Sequence, residues 1–543
     1  MPNAYFKIQE PKNEPYNSFE PGSPEKKELK KKLKELQEEV IEIPAIIGGK
    51  EVKSGDTIDI SMPHNHEHKL ATVHRCGENE VNMAIEAAME ARKEWAEMPW
   101  EERISIFQKA ADLITGPWRH TMNATTMLGQ SKTPHQSEIE AVGELADFLR
   151  FNPWYLSQIM SDQPHSPNGM WNRVEYRPLE GFVFAVTPFN FTAIGGNLPT
   201  APAMCGNVVL WKPSSDSIYS NYFFMKVLKE AGMPDGVINF VPGKGRSVGD
   251  PVFASHHFSG LHFTGSVGTF NNLWKTIGDN IDTYKTYPRV VGETGGKDFI
   301  FAHNSADVDA MVVAALRGAY EYQGQKCSAA SRMYIPESIW DDFRDKFVDE
   351  VNKIKVGDVE DFTTFMGAVI SQKAFDDITG YIDYAKEADD AEIIAGGTYD
   401  DSKGYFIDPT VIVTSNPKFK TMEEEIFGPV LTIYVYKDED FDKTIELCDD
   451  TSPYALTGAI FAQDRYALKK MSKAFRQSAG NFYINDKPTA AIVNQQPFGG
   501  ARKSGTNDKA GSKVNLLRWL SMRSMKETRV PPKDWRYPYM GEE

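Results

Sequence analysis

The stretch Gly181-Phe182-Val183-Phe184-Ala185-Val186 is an almost continuous apolar run, and it decides the fold class. Two further runs follow it, Asn207-Val208-Val209-Leu210-Trp211 and Val237-Ile238-Asn239-Phe240-Val241, with helical sequence such as residues 217–231 between them. Short apolar runs that alternate with helices are typical of a parallel sheet whose two faces are both buried. This part of the chain is therefore predicted to be an open α/β lobe.

A second series of the same kind begins after Gly296. Its predicted strands lie near residues 299–301, 332–335, 411–413, 430–435 and 458–461, and a helix is predicted over residues 306–322. Two α/β lobes of similar size are therefore expected to meet near residue 296. An open α/β protein binds its ligand in a cleft of this kind.

The two ends of the chain differ from the lobes. Residues 1–22 are polar and contain several prolines, which predicts an extended arm on the surface. Ser23 suits a helix N-cap, and Pro24 suits the first position of a surface helix that docks by one narrow apolar edge. After Ser504 the chain is expected to be irregular, and its aromatic tail is expected to dock on a partner subunit.

Composition excludes several classes of function. The formal net charge of -16 argues against nucleic acid or an anionic membrane as the main partner, since both reward clustered lysine and arginine. The four cysteines lie far apart without a C-x-x-C motif, so neither a metal site nor a disulfide framework is predicted. No apolar run approaches the ~18 residues of a membrane span. We expect a cytoplasmic protein that acts on a small molecule.

Cys327 lies in Gln323-Gly324-Gln325-Lys326-Cys327-Ser328-Ala329, between small and polar residues. A lone cysteine is usually a small buried hydrophobe. Here Lys326 and the flexible Gly324 favour an exposed thiol near positive charge. Such a setting lowers a thiol pKa below its reference of ~8.5 and makes the thiolate available as a nucleophile. The other three cysteines lack this setting and are predicted to be structural.

Four other positions carry candidate chemistry. Glu293, in a glycine-rich turn, either faces water or, opposite Cys327, acts as a general base. Asn190 follows a strand and either caps a turn or donates its amide to an oxyanion. Lys212 and Gly265-Ser266 end strands, where they suit a ribose or phosphate, although each alone is better explained by a solvated loop. A G-x-G-x-x-G fingerprint is absent, so an ordinary dinucleotide fold is not indicated.

Together these segments resemble the aldehyde dehydrogenase superfamily over roughly residues 45–525. The motifs that carry the resemblance are the Asn190 stretch, Lys212-Pro213-Ser214, Phe263-Thr264-Gly265-Ser266, Glu293, Gly324-Gln325-Lys326-Cys327, Glu424-Glu425-Ile426-Phe427-Gly428-Pro429, and residues 481–487 and 496–509. The resemblance implies two open α/β lobes, one that binds NAD and one that is catalytic, plus a small β oligomerisation flap. The implied division is an N-terminal arm and helix over 1–44, an NAD-binding domain over 45–157 and 181–296, oligomerisation elements over 158–180 and 507–543, and a catalytic domain over 297–506.

The resemblance also implies an activity. It is closest to the branch that oxidises L-glutamate γ-semialdehyde, which forms from Δ1-pyrroline-5-carboxylate, to L-glutamate in proline degradation with NAD. Cys327 would form a thiohemiacetal whose oxyanion the Asn190 amide holds, and Glu293 would activate water to hydrolyse the thioester left by hydride transfer. The alternatives are a dehydrogenase for another acidic semialdehyde, such as succinic semialdehyde, and a relative without catalysis.

Further site residues follow from the resemblance alone. The implied cofactor-binding residues are Pro188, Phe189, Lys212, Ser214, Ser215, Gly265, Ser266, Glu425 and Phe427. The implied substrate-binding residues are Glu144, Lys326, Ser328, Ala490, Ala491 and Phe498. Ala490 stands where relatives carry glycine, and Ser215 stands where many carry glutamate. A homo-oligomer, dimeric or larger, is also implied, with contacts through a β-hairpin near 158–180 and through the tail.

Overall fold

The computed structural model describes residues 6–542, so the first five residues of the predicted arm and the last residue of the tail lie outside the described residues. The strands of the first lobe and its attachments are β1 (Ile41–Ile43), β2 (Ala45–Ile47), β3 (Lys50–Val52), β4 (Thr57–Met62), β5 (Asn65–His74), β6 (Met170–Pro178), β7 (Phe182–Val186), β8 (Val208–Lys212), β9 (Ile238–Phe240), β10 (Phe258–Thr264) and β11 (Arg289–Glu293). The helices are α1 (Pro24–Gln37), α2 (Glu78–Trp95), α3 (Trp100–Thr115), α4 (Arg119–Gln130), α5 (Pro134–Ser137), a π-helix (Glu138–Glu144), α6 (Leu145–Met160), α7 (Thr192–Met204), α8 (Ile218–Ala231), α9 (Gly245–Ala254) and α10 (Val267–Asp279).

The second lobe and the C-terminal segment have the following elements. The strands are β12 (Asp298–Ala302), β13 (Ala330–Pro336), β14 (Ala391–Ala395), β15 (Tyr399–Asp400), β16 (Phe406–Ile407), β17 (Thr410–Thr414), β18 (Val430–Tyr436), β19 (Tyr454–Ala455), β20 (Thr457–Phe461), β21 (Asn481–Ile484), β22 (Ala501–Arg502) and β23 (Leu520–Thr528). The helices are α11 (Val308–Tyr320), α12 (Glu337–Val351), α13 (Gln372–Lys386), α14 (Lys420–Glu423), α15 (Phe441–Asp450), α16 (Arg465–Ala474) and α17 (Lys513–Leu517).

The first lobe is built on a seven-stranded sheet in the order β11-β10-β7-β8-β9-β2-β3. Strands β7 to β11 pair in parallel, and the antiparallel β2-β3 pair closes one edge. The apolar run of β7 is buried from Phe182 to Ala185, as a strand covered by helices on both faces must be. The prediction of a parallel α/β lobe is confirmed.

The second lobe repeats this plan with a seven-stranded sheet in the order β14-β17-β18-β13-β12-β20-β21. All neighbouring pairs are parallel except β14 with β17. Two clusters of buried apolar side chains pack on its faces, one around Phe299 and Phe301 and one around Ile300 and Met333, because successive residues of a strand point to opposite faces. The helix predicted over residues 306–322 is shorter than expected, since α11 ends at Tyr320 and a turn follows.

The parallel strands decide where a ligand can bind. Since parallel strands end at the same edge of a sheet, the residues that follow β7, β8, β10 and β11 meet at one edge. The register aligns Val186 with Lys212 across β7 and β8, and Thr264 with Glu293 across β10 and β11. Chemically active residues that are distant in sequence therefore share this edge.

The N-terminal segment agrees with the prediction. Ser23 caps α1, since its Oγ accepts a hydrogen bond from the Lys26 N–H at 3.3 Å, and Leu29 and Leu33 are the buried residues of the helix. Residues 6–22 carry no helix or strand and lie against the first lobe and residues 493–495 of the second. Among the described residues, no helix combines the length and the apolar character that crossing a bilayer requires.

Two expectations for the flap and the tail are wrong. Residues 158–180 do not form a β-hairpin: residues up to Met160 belong to α6, and β6 pairs antiparallel with β23, which is far away in sequence. The segment after Ser504 is not irregular throughout, because α17 and β23 lie within it. Local sequence could not reveal this pairing, since, in the part of the chain that the structure describes, β6 forms its strand hydrogen bonds only with β23, and β23 only with β6. Ribbon residues Trp171 and Met522 remain exposed.

Candidate active site

Cys327 is held by a tight turn after α11. Tyr322 and Gln323 have φ angles of 52° and 56°, and Gly324 has a φ of 67°. A Cβ on Gly324 would lie 2.2 Å from the carbonyl oxygen of Gly428, so glycine is required at this close approach. The turn leaves the Cys327 side chain partly exposed, whereas the other three cysteines are buried.

Two cavities meet at Cys327, and the residue lines both. The strand-end cavity has a volume of about 510 Å³ and opens at the edge where β7, β8 and β10 end. The loop cavity has a volume of about 370 Å³ and lies between the π-helix, α6 and residues 486–498. A thiol between two cavities can contact two ligands at once, which is the arrangement that a reaction between a substrate and a cofactor requires.

The strand-end cavity gathers most of the residues that the resemblance assigned to the cofactor. Those that line it are Pro188, Phe189, Lys212, Ser214, Gly265, Ser266, Glu425 and Phe427. Ser215 is not part of the lining, because it begins the short 3₁₀ turn that leads into α8. The set combines a lysine, hydroxyl groups, a helix start and aromatic rings.

The polar end of the strand-end cavity fits a phosphate-containing ligand. Gly265, Ser266 and Thr269 line it where α10 begins, and Ser266 caps this helix by accepting a hydrogen bond from the Thr269 N–H at 3.3 Å. A helix N-terminus favours negative charge. Burial lowers the pKa of Lys212 to about 8, and a nearby anion would restore its positive charge.

The other end of the strand-end cavity fits a flat ring beside Cys327. The Phe189 and Phe427 rings meet edge to face with their centroids 5.7 Å apart. Glu425 is fixed because its Oε1 accepts a hydrogen bond from the Gly296 N–H at 2.8 Å, and burial raises its pKa to about 7. An apolar wall with one oriented carboxyl suits a nicotinamide ring and its ribose, so the residues present fit NAD.

Asn190 is buried, and hydrogen bonds fix both its side-chain amide and its backbone carbonyl oxygen. Its Nδ2 donates to the carbonyl oxygen of Gln325 at 3.1 Å, and its own backbone oxygen accepts a hydrogen bond from Lys132 Nζ at 2.6 Å. An amide nitrogen carries two N–H groups, so one remains for an oxyanion that forms beside Cys327. Of the two interpretations left open by the sequence, this geometry favours the oxyanion donor.

Lys132 was not singled out from the sequence. Its Nζ donates to Glu140 Oε1 at 2.6 Å as well as to the Asn190 oxygen, and it lies over the rings of Phe191 and Tyr322 at 4.5 and 4.4 Å. Burial lowers its pKa, and the Glu140 carboxylate opposes that shift. A lysine in a polar segment gives no sign of burial, because its ion-pair partner and its rings come from other elements.

Glu293 is the last residue of β11 and lies next to the strand-end cavity without lining it. Its Oε2 accepts a hydrogen bond from the Gly500 N–H at 3.2 Å, and the following residue, Thr294, does line that cavity. Burial raises the pKa of Glu293 to about 8. The carboxyl group is therefore not a turn residue surrounded by water, and its raised pKa is compatible with a general base.

The expectation that the Cys327 thiol has a lowered pKa is wrong. Burial raises its pKa well above the ordinary value, and the carboxyl groups of Asp298 and Glu293 raise it further. Lys326, which was expected to favour the thiolate, is paired with Glu321 Oε2 at 3.0 Å. Sequence neighbours therefore misled the prediction, since acidic groups from other strands surround the sulfur. A cation or a base beside the thiol would favour the thiolate.

The loop cavity gathers every residue that the resemblance assigned to the substrate. They are Glu144, Lys326, Ser328, Ala490, Ala491 and Phe498. The substitution of alanine for glycine at position 490 brings no strain, because neither Ala490 nor Ala491 has a positive φ. Phe498 is held by two hydrogen bonds with the backbone of Ala510, at 3.1 and 2.8 Å. Tyr16 of the arm also lines this cavity, and nothing in the sequence indicated that.

One group of ligand-type side chains lies elsewhere in the described part of the chain. His64, Asp358 and Glu360 offer atoms within 4.8 Å of one another, which is close enough to share a metal ion. None of the three lines either cavity. The chemistry at Cys327 is built from other residues.

Comparison with known proteins agrees with the geometry. The sequence model of the aldehyde dehydrogenase family matches residues 51–525. A Dictyostelium discoideum protein named delta-1-pyrroline-5-carboxylate dehydrogenase, mitochondrial, is 52% identical over 99% of this chain and 97% of its own. A Danio rerio protein of the same name is 52% identical over 98% of this chain and 96% of its own. The crystal structure of the Mycobacterium tuberculosis delta-pyrroline-5-carboxylate dehydrogenase bound with NAD is similar, with a TM-score of 0.97, 48% identity and coverage of 99% of this chain and 100% of that one.

The same comparison corrects the predicted location. The cytoplasmic location expected from the sequence is wrong, because the Dictyostelium and Danio relatives carry the word mitochondrial in their names. The expectation rested on the acidic composition, on the widely separated cysteines and on the absence of an apolar run of membrane-span length. Composition of the folded domain says little about compartment, since import is decided by segments that are separate from the fold.

Proposed function

Because this chain belongs to the aldehyde dehydrogenase family, we propose that it oxidises L-glutamate γ-semialdehyde, formed from Δ1-pyrroline-5-carboxylate, to L-glutamate with NAD as the hydride acceptor. The observation that carries the proposal is the position of Cys327 between two cavities of different chemistry. The strand-end cavity has the residues that a dinucleotide needs. The loop cavity has the residues that an acidic aldehyde needs.

The first step uses Cys327 as the nucleophile. Its sulfur adds to the aldehyde carbon and forms a thiohemiacetal, while the thiol proton leaves to a base or to water. The negative charge on the former aldehyde oxygen is stabilised by the free amide N–H of Asn190 and by the backbone N–H of Cys327. Lys132 keeps Asn190 in place through its hydrogen bond to the Asn190 backbone oxygen.

The strand-end cavity would hold NAD, which would supply the acceptor for the hydride that the thiohemiacetal carbon loses. Lys212, Ser214 and Ser266 bind the adenosine and pyrophosphate portion, where cationic and hydroxyl groups and the start of α10 suit it. Glu425 and Phe427 orient the nicotinamide ribose and ring beside Cys327. The loss of hydride leaves a thioester on the sulfur.

Glu293 completes the reaction. As a carboxylate it takes a proton from a water molecule, and the resulting hydroxide attacks the thioester carbon. The C–S bond breaks, L-glutamate leaves and Cys327 is regenerated. The carboxyl group lies at the end of β11, next to the strand-end cavity, and its pKa of about 8 suits a base that works near neutral pH.

Substrate choice is assigned to the loop cavity. Ala490 and Ala491 offer backbone N–H groups to the α-carboxylate of the semialdehyde, helped by Ser328, and Phe498 packs on its methylene groups. Lys326 adds positive charge and Glu144 adds an acid for the amino group. These roles predict discrimination against aldehydes that lack an amino acid head group.

The test is steady-state NADH formation from Δ1-pyrroline-5-carboxylate, with succinic semialdehyde and propanal as competing substrates. A strong preference for the pyrroline compound supports the proposal. Equal or better use of succinic semialdehyde keeps the Cys327 mechanism and overturns the substrate assignment. The absence of NADH from all three overturns the activity.

We also propose the domain division and a homo-oligomer. Residues 45–157 and 181–296 form the NAD-binding domain, residues 297–506 form the catalytic domain, and residues 1–44 form an arm and helix. Residues 158–180 and 507–543 mediate a dimer or larger assembly. The exposed apolar side chains of the β6–β23 ribbon support this role, since large exposed apolar residues mark interaction surfaces. Light scattering measures the mass directly.

A further inference from the structure

We infer that residues 10–17 of the N-terminal arm, which we name the arm segment, position the substrate-binding loop 489–496 and complete the wall of the loop cavity. The inference rests on the proposed function, because it assigns the arm segment to the selection of the semialdehyde. The observation behind it is a set of hydrogen bonds that join α6 of the first lobe, the arm segment and the loop of the second lobe.

Asn13 is the centre of this connection. Its Nδ2 donates to Asp147 Oδ2 at 2.7 Å and to the Val493 carbonyl oxygen at 2.9 Å, and its Oδ1 accepts a hydrogen bond from Gln495 Nε2 at 3.1 Å. One side chain therefore uses both amide donors and its acceptor to hold two separate elements together. Val493 lies three residues after Ala490, within the same loop.

The arm segment is itself fixed to the first lobe by charge. Glu14 is nearly buried, and its two carboxylate oxygens pair with Arg119 at 2.8 Å and with Arg150 at 2.6 Å. Its backbone N–H donates to Asp147 Oδ1 at 2.8 Å, and the Asn17 N–H donates to Glu138 Oε1 at 2.8 Å. A partly buried carboxylate held by two arginines is strongly oriented. The arm segment is therefore a fixed support and not a loose terminus.

The loop has one small internal turn, in which the Gln495 and Gln496 N–H groups donate to the Ile492 carbonyl oxygen at 3.0 Å and the Ile492 N–H donates to Gln496 Oε1 at 3.0 Å. Residues 485–500 contain no helix or strand, and Asn494 adopts a φ of 71°, which is unusual for a residue other than glycine. Contacts from outside the loop stabilise this conformation. Tyr155 Oη donates to Asn494 Oδ1 at 2.6 Å, and Asn13 forms hydrogen bonds with the two neighbours of Asn494, Val493 and Gln495. An irregular loop that must present backbone N–H groups to a carboxylate needs such support.

Tyr16 adds a direct contact with the cavity. Its ring packs on Gly143 of the π-helix, where an added Cβ would lie 2.3 Å from a ring carbon. Tyr16, Glu144, Asp147 and the loop residues Ala490 to Val493 all line the loop cavity. The arm segment therefore supplies part of the wall of the cavity that also contains the residues assigned to the amino acid head group.

The decisive experiment compares Asn13→Asp with Lys12→Ala in the full-length protein. Asn13→Asp keeps the shape of the side chain but replaces Nδ2, which carries both donors, by one carboxylate oxygen that faces Asp147 and the Val493 carbonyl oxygen. Lys12→Ala changes an exposed neighbour whose side chain has no hydrogen bond or ion pair with residues 6–542. We expect Asn13→Asp to lower kcat/KM for Δ1-pyrroline-5-carboxylate about tenfold, mainly through KM, because two hydrogen bonds to the loop and α6 are lost. Lys12→Ala should leave it within about twofold.

Two further measurements distinguish a loss of loop positioning from a general loss of folding or activity. For propanal, which has no carboxylate to anchor, kcat/KM and the KM for NAD should change less than about twofold in Asn13→Asp. Hydrogen exchange of the 489–496 peptide should become faster in Asn13→Asp and not in Lys12→Ala. If Asn13→Asp folds poorly because of its new charge, Asn13→Ala serves as the second variant with the same expected pattern.

Each result has one meaning. An equal loss on propanal and on the pyrroline compound, or no loss on either, overturns the positioning role of the arm segment. A wild-type enzyme with no preference for the pyrroline compound over propanal overturns the proposed substrate instead. A selective loss on the pyrroline compound supports both.

Discussion

Replacing Lys132 by methionine tests whether the buried Lys132–Glu140 pair supports the oxyanion donor. Methionine keeps a similar length but removes the charge and the three donors. The carbonyl oxygen of Asn190 then loses its 2.6 Å hydrogen bond, and Glu140, which is 1% exposed, keeps only the Ala193 N–H at 2.9 Å as a partner. The substitution should therefore damage both stability and turnover.

The magnitudes follow from what is left unpaired. Breaking a buried ion pair by removing one partner costs about 3–5 kcal/mol, because the remaining charge stays buried without compensation. Removal of one oxyanion donor lowers kcat by roughly 10²–10³. Since Lys132 orients Asn190 and does not touch the oxyanion itself, we expect a loss of kcat of roughly 10–100-fold, with a smaller change in KM.

The assay pairs Lys132→Met with the double variant Lys132→Met/Glu140→Gln. Urea unfolding followed by tryptophan fluorescence gives the stability of both, and steady-state NADH formation gives their turnover. The double variant removes both charges, so it should recover most of the lost stability, because no uncompensated charge stays buried. Turnover should stay low, since the Asn190 oxygen still lacks its lysine. A Lys132→Met protein with wild-type stability and turnover would refute the reasoning.

Three other predictions concern the base, the pH profile and the assembly. Glu293→Gln should give one burst of NADH per active site and then stall, because the thioester is no longer hydrolysed; an absent burst would move Glu293 to an earlier step. Turnover should rise with pH through about 8, since the base form of Glu293 is needed and its pKa is raised to that value, and the raised pKa of Cys327 acts in the same direction; a profile that falls over this range contradicts the assignment. Met522→Glu puts a charge on the exposed face of the β6–β23 ribbon and should lower the mass measured by light scattering; an unchanged mass would exclude this face.

The sequence predicted the parts of the fold that are encoded locally. The apolar runs at residues 182–186 and 430–435 are strands because a buried parallel strand needs little more than continuous apolar residues of the right length. The Ser23 cap and the stripe of α1 were equally local. The β6–β23 ribbon was missed because each strand depends on a partner 342 to 358 residues away, and no local pattern records that partner.

The candidate site divides in the same way. Motifs identified Cys327, Glu293 and Asn190, because each lies at the end of a local turn or strand. The pKa of Cys327 could not be predicted, since Asp298 and Glu425 approach it from other elements. Lys132 and Tyr16 were missed for the same reason. The burial of Lys132 and the position of Tyr16 in the cavity wall both depend on residues that are distant in sequence.

The central claim is that Cys327 carries the substrate as a thioester that Glu293 resolves. The most direct measurement is the intact mass of Glu293→Gln mixed with NAD and Δ1-pyrroline-5-carboxylate and quenched in acid, followed by peptide mapping, with Cys327→Ser as the control. We expect a γ-glutamyl group on the peptide that contains Cys327 and none in the control. An unmodified protein, or an adduct on another residue, would contradict it.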